Sequence, residues 1–267
     1  MCTATFIPRD VGYYLAMNRD EKFSRITGLP PKRRFIDGRS VLYPSEPGGG
    51  TWISANDAGS SFALVNWYSA TARVSRQGIS RGCVVKLVSA CFSIERAESA
   101  LDGLPLARIK PFRLIGIFPA QREIVEWRWD LKIFDRKKHN WKAQQWISSG
   151  FDEPTARQIR GATFREAQWQ PDSGSLDWLR RLHRSHSPHR GAFSTCVHRP
   201  DAATVSYTEI DVAGEKISMR YHPAAPCYEA AVSDYALSAQ RNLAGEDRGL
   251  SCRSCGVGRM TSRAISP

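Results

Sequence analysis

The sequence predicts an α+β fold in which β-sheets are layered between helices, and three observations carry that expectation. Segments of strand character open the chain, return in its middle and return again near residue 220, with two helix-like stretches between successive groups. Turn residues punctuate the apolar segments at Pro8-Arg9-Asp10, Asn56-Asp57-Ala58-Gly59 and Ala213-Gly214, which marks hairpins. The 267 residues, 42% of them hydrophobic and eight of them tryptophan, suffice for one large core.

The elements follow in order. Thr3 to Ile7 is a short β-type run, and Gly12 to Met17 is a second apolar segment of strand length that ends in Asn18-Arg19-Asp20-Glu21. Residues 31–48, bracketed by Pro30, Pro31, Pro44 and Pro47, are expected to form a long surface connection. The glycines at 48–50 are followed by no Gly-Lys-Ser/Thr, so they are not a phosphate loop; a tight approach or a positive-φ turn explains them better. Strands are expected at Thr51-Trp52-Ile53-Ser54 and Phe62 to Trp67. The stretches Val84 to Ala90 and Ile94 to Leu101 carry apolar residues at helical spacing. Strands resume at Phe112 to Ile117 and Ile124 to Trp129, Asp135 to Asn140 reads as a turn, and Trp141 to Ile147 follows it. Two further helices start near Pro154, which suits a first helical turn, and near Ser175. Strands Ala203 to Val212 and Glu215 to Tyr221 close residues 1–228, expected to be one domain. The polar, weakly periodic segment 229–267 is expected to be disordered.

Charge and cysteine content narrow the function classes. The net charge of +12 invites a nucleic-acid partner. Yet the arginines are spread along the chain, and Arg180-Arg181-Leu182-His183-Arg184 fits a helix end whose dipole favours cations. No zinc-finger or RNA-clamp pattern accompanies them, so no specific nucleic-acid partner is expected. No run approaches the roughly 20 apolar residues of a membrane span, and no secretory signal is visible. Cys2 lacks the upstream apolar segment that bacterial lipid attachment needs. The seven cysteines are odd in number and scattered, which fits reduced thiols in a cytoplasmic protein.

Cys2 is the most informative residue. A small side chain in second position favours removal of Met1, which would leave a thiol and an α-amine on one residue. With ordinary pKa values of about 8.5 and about 7.7–8.0, these can act as nucleophile and base together. If the opening segments form a hairpin, the end of the second strand returns beside the amino terminus and brings Arg19 and Asp20 near Cys2. A guanidinium favours thiolate, and a carboxylate orients a protonated amine.

Met1-Cys2-Thr3, Asn18-Arg19-Asp20-Glu21, Gly49-Gly50-Thr51-Trp52-Ile53 and Ala63-Leu64-Val65-Asn66 stand in the order and rough spacing of a known set. On these motifs the chain resembles the NRDE-motif family, also called the transport and Golgi organisation family. The motifs lie in the first 70 residues, and the coarse order of elements extends the resemblance to about residue 225. The resemblance implies a four-layer αββα sandwich of the N-terminal nucleophile hydrolase type, in the cysteine branch that cleaves linear carbon–nitrogen amides. It implies Cys2 as nucleophile, Arg19 lowering the thiol pKa and touching the substrate, Asp20 fixing the amine, and Asn66 as oxyanion donor. Asn18, Trp52, Ser148 and Ser149 are the corresponding substrate-binding candidates.

One departure stands out. Amide hydrolases of this type usually supply a second Asn after a later strand, whereas the comparable strand end here reads Trp146-Ile147-Ser148-Ser149-Gly150. Arg157 and Arg160 are candidates for that branch's later arginine, but both sit on an expected helix, where surface positions are commoner. The histidines at 183, 186, 189 and 198 lack metal-site spacing, because Pro188 interrupts any helix that would align them. Cys196-Val197-His198 reads as packing, and Cys252-Arg253-Ser254-Cys255 as half a zinc pair without its partner. No metal or cofactor is therefore expected. Two functions remain: an amidohydrolase with a terminal cysteine, and a non-catalytic carrier of a hydrophobic, acyl or haem ligand on the same fold.

Overall fold

The computed structural model describes residues 2–70 and 78–240. Two antiparallel sheets face each other. The first holds six strands in the order β10-β1-β2-β11-β12-β13, where β1 is Cys2–Pro8, β2 Tyr13–Lys22, β10 Gln144–Ser148, β11 Ala202–Ala213, β12 Lys216–His222 and β13 Ser233–Ser238. The second holds seven strands in sequence order: β3 (Leu29–Ile36), β4 (Arg39–Ser45), β5 (Ile53–Asn56), β6 (Ser61–Asn66), β7 (Phe112–Phe118), β8 (Glu123–Trp129) and β9 (Phe134–His139).

Period-two alternation decides what each face meets. On β1 and β2, Ala4, Phe6, Tyr13, Leu15 and Met17 point inward against Ile53, Ala55, Ala63, Val65, Ile115 and Ile117 of the second sheet, forming the central core. The opposite faces need cover, and helices supply it. α1 (Gly82–Val88) and α2 (Ile94–Asp102) lay Val84, Val85, Val88, Ile94 and Ala97 over Phe62, Leu64, Leu114 and Trp127. α3 (Glu153–Ala167) and α4 (Leu176–Arg184) lay Phe164, Trp178, Leu179 and Leu182 over Ile7, Ala16 and Tyr207. The result is the expected αββα sandwich. Three of the four helices start on a side-chain cap: Ser93, Asp152 (with Pro154 in the first turn) and Ser175 each accept from a backbone N–H two or three residues into the helix. The Tyr13 hydroxyl ties the sheets together, 2.7 Å from the Gly59 carbonyl and 2.6 Å from Ser61 Oγ. No described helix is long and apolar enough to cross a membrane.

Three expectations are corrected. Residues 31–48 are not a long connection, because most of them build the β3–β4 hairpin. Asp135 to His139 is not a turn but strand β9, paired to β8. Part of the segment expected to be disordered, Ser233–Ser238, is β13, paired along its length to β12; residues 241–267 lie outside the described residues. Of these strands β3, β9 and β13 are sheet edges, while β4 lies inside its sheet. Edges carry charge and proline in place of apolar alternation, so periodicity does not reveal them.

Candidate active site

The β1–β2 hairpin sets the site. Its register pairs Cys2 with Arg19 on one side, and the β10 register pairs Cys2 with Ser148 on the other. Cys2 and Arg19 share the inward face, and both are almost wholly buried. The Arg19 guanidinium lies 4.5 Å over the Trp52 ring and makes an ion pair of 2.9 Å with Glu46 and one of 3.6 Å with Glu21. The backbone N–H of Cys2 donates to Ser148 Oγ at 3.0 Å. Burial pushes the Cys2 thiol above its ordinary pKa, Asp20 adds to the rise, and Arg19 opposes it. Burial thus favours the thiol over the thiolate.

Asp20 points to the other face of β2, where it meets α3. Its carboxylate accepts from Thr204 Oγ1 at 2.7 Å and lies 3.6 Å from Arg160. Arg160 is completely buried; it donates to Thr3 Oγ1 at 2.8 Å and to the Ala192 carbonyl at 3.1 Å. Burial raises the Asp20 pKa and lowers that of Arg160, and each charge opposes the effect on the other. The expectation of a surface position holds for Arg157, which is exposed, and is corrected for Arg160. An arginine mid-helix looks solvated in one dimension; only the buried carboxylate across the layer reveals its role.

A cavity of about 560 Å³ opens over Cys2 and is lined also by Arg19, Asp20, Trp52 and Asn66. Asn66 ends β6 and donates from Nδ2 to the Tyr68 hydroxyl at 2.8 Å. Arg25, Arg81 and Lys110 add positive charge to the wall, and Glu21 and Glu46 negative charge. Gly50 and Gly82 narrow one side: a Cβ on Gly82 would lie 2.8 Å from the Gly50 Cα, so the glycine run does serve a close approach. The preceding Gly49 has φ +83°.

Three candidates are not brought to this cavity. Asn18 faces α4 and spends its amide on the carbonyls of His183 and Thr195, both at 2.9 Å. Neighbours on a strand face opposite ways, so with Arg19 inward Asn18 turns to the helix side, as does the Asp20 carboxylate, although Asp20, nearer the strand's end, still borders the cavity. Ser148 stands behind Cys2, and buried Ser149 accepts from the Phe151 N–H at 3.3 Å. Sequence reasoning in turn missed Arg81, Lys110 and Glu46. No local pattern marks Arg81, which reaches the site because the start of α1 docks on Thr51 through a bond from the Thr51 N–H to the Gly82 carbonyl of 3.2 Å.

Residues 1–128 match the model of the family described as Transport and Golgi organisation 2. Among solved structures, the chain is similar to a cysteine-to-alanine mutant of conjugated bile acid hydrolase from Clostridium perfringens, with TM-score 0.53, 13% identity, and coverage of 89% of this chain and 92% of that one. It is also similar to penicillin V acylase from Agrobacterium tumefaciens, with TM-score 0.53, 12% identity, and coverage of 89% and 86%. An arginine-to-leucine variant of the same Clostridium perfringens hydrolase aligns with TM-score 0.51, 12% identity, and coverage of 91% and 100%. At these identities the likeness shows the fold, that of the N-terminal nucleophile hydrolases. The sequence matches no curated protein.

Proposed function

We propose that this protein hydrolyses a linear carbon–nitrogen amide with Cys2 as the nucleophile. The observation that carries the reading is the placement of Cys2 at the floor of the cavity, in register with Arg19 and held from behind by Ser148. The fold's likeness to structures named as a hydrolase and an acylase supports it.

Once Met1 is removed, the Cys2 α-amine takes the thiol proton as sulfur attacks the carbonyl carbon. Asn66, which lines the same cavity, would turn its amide from the Tyr68 hydroxyl to the tetrahedral oxyanion. Collapse breaks the C–N bond, the amine leaves with the proton returned by the α-amine, and water then hydrolyses the thioester. Asp20, itself anchored by Thr204 and Arg160, orients the α-ammonium. The raised thiol pKa makes this internal base necessary, because little thiolate exists beforehand. Arg81 and exposed Lys110 at the wall favour a substrate that carries a carboxylate, such as an N-acyl amino acid.

The strand end Ser148-Ser149-Gly150, which lacks an Asn, and the buried thiol favour a second reading, in which the cavity carries an acyl or haem ligand without chemistry. One experiment separates the two. Intact-mass spectrometry of the purified protein, followed by incubation with N-acyl amino acids, acyl-coenzyme A thioesters and haem, should show loss of Met1, a thiol-probe adduct at Cys2 and amide turnover that disappears in Cys2→Ala. A retained Met1, or ligand binding unchanged by Cys2→Ala with no turnover, would overturn hydrolysis in favour of carriage.

A further inference from the structure

Away from the cavity, the long connection between α4 and β11 folds back on itself and meets the segment after β12. Connections beyond about 12–15 residues without regular structure are uncommon and usually have a reason. Here the connection brings His186, Cys196 and His198 together, and Cys227 arrives from the β12–β13 connection. The four potential ligand atoms all lie within 4.8 Å of one another. Nε2 of His186 is 3.1 Å from Nε2 of His198, and Nε2 of His198 is 3.5 Å from Cys196 Sγ and 3.3 Å from Cys227 Sγ. The two sulfurs are 3.6 Å apart.

Hydrogen bonding does not account for this convergence. A ring nitrogen carries one proton or one lone pair in the ring plane, and His198 Nε2 faces three partners. A tetrahedral zinc does account for it. With Zn–S of about 2.3 Å and Zn–N of about 2.0–2.1 Å, the edges of a Cys₂His₂ tetrahedron are about 3.8 Å for S···S, about 3.6 Å for S···N and about 3.3 Å for N···N. The four separations given above match their edges to within a few tenths of an ångström, and the two remaining edges, from His186 to the sulfurs, are no longer than 4.8 Å.

We propose that His186, Cys196, His198 and Cys227 form a structural Cys₂His₂ zinc site that clamps the α4–β11 connection to the segment following β12. Binding releases the two thiol protons and leaves two thiolates and two neutral imidazoles, so the closed site is electrically neutral. Ligation through Nε2 puts the His198 proton on Nδ1. The guanidinium of Arg190, 3.2 Å from that nitrogen on an exposed side chain, then turns aside. Cys252 and Cys255 lie outside the described residues.

The clamp has a consequence for the cavity. The segment it holds supplies the carbonyls of Ala192 and Phe193 to Arg160 and that of Thr195 to Asn18, while the Val197 N–H binds Thr204 Oγ1, the donor to Asp20. Metal loss should therefore loosen the buried Asp20–Arg160 pair as well as the loop.

The test uses reduced, full-length protein. Elemental analysis after dialysis against zinc-free buffer should find one zinc per chain, and cobalt(II) exchange should give the intense visible bands and sulfur charge transfer of tetrahedral thiolate coordination. Cys196→Ser/Cys227→Ser should lose both signals, and Cys252→Ser/Cys255→Ser should keep both. An octahedral, thiolate-free cobalt spectrum of the native protein overturns the site even if the 196/227 variant does not fold. Metal that follows the 252/255 pair overturns it equally.

Discussion

Arg19 and Asp20 are adjacent in sequence yet serve opposite faces of one strand. Arg19 is held by Trp52 and Glu46 on the cavity side, and Asp20 by Arg160 and Thr204 on the helix side. Removing one member of a buried pair strands the other, at a cost of about 3–5 kcal/mol. Arg160→Met should accordingly lower the unfolding free energy by about that amount, while Arg160→Met with Asp20→Asn recovers much of it; paired urea titrations of the three proteins measure both effects. If the double variant is no more stable than the single one, the pair is not what holds Arg160. For the chemistry, Asn66→Ala should lower kcat by ~10²–10³ with little change in KM, the loss expected of one oxyanion donor. An equal rise in KM at constant kcat would instead make Asn66 a ground-state binding residue.

At the scale of elements, the β1–β2 turn decides whether Cys2 meets Arg19. Gly12 has φ +86°, and a Cβ there would lie 1.7 Å from the Val212 carbonyl oxygen of β11. Gly12→Ala should cost more than the roughly 1–3 kcal/mol of backbone strain alone, since β11 must also retreat. The thermal midpoint should fall sharply and Cys2 labelling should lose its selectivity over Cys83. In contrast Gly38→Ala, also at positive φ but with nothing within 4 Å, should pay only the strain. Strands β3 and β9 escaped the periodicity reading for one reason. Lys32-Arg33-Arg34 and Arg136-Lys137-Lys138 guard sheet edges, where charge prevents pairing with other chains and hides the strand pattern.

For the whole molecule, acid is the revealing stress. His183 is fully buried between α4 and β1, with Nε2 3.0 Å from Thr5 Oγ1, and burial holds its pKa at about 3 against an ordinary 6.5. A depressed histidine contributes stability that is present above the unfolded value and lost as pH falls from 6.5 towards 3. Each pH unit in that window costs about 1.4 kcal/mol, so between neutral pH and about pH 4.5 the native protein should lose roughly 2–3 kcal/mol more than His183→Gln does. Urea titrations at the two pH values check it, and parallel losses in both proteins would clear His183 of the role.

Much of this architecture is written along the chain. Turn chemistry and alternation mark β1, β2, β5 to β8, β11 and β12, and helix caps mark the starts of α2, α3 and α4, because each depends on residues within a few positions of one another. The terminal cysteine and the expected hairpin made Cys2, Arg19 and Asp20 legible as candidates, whereas Trp52 and Asn66 became candidates through the resemblance of the motifs that contain them. Tertiary structure alone decided the rest. Asn18 turned away from the cavity through strand parity relative to Arg19, Arg160 went inward because a carboxylate waited across the layer, and Cys227 joined His186, Cys196 and His198 across a 29-residue separation from the nearest of them. Partners that distant leave no period or spacing in one dimension, because only the packing of layers brings them within reach.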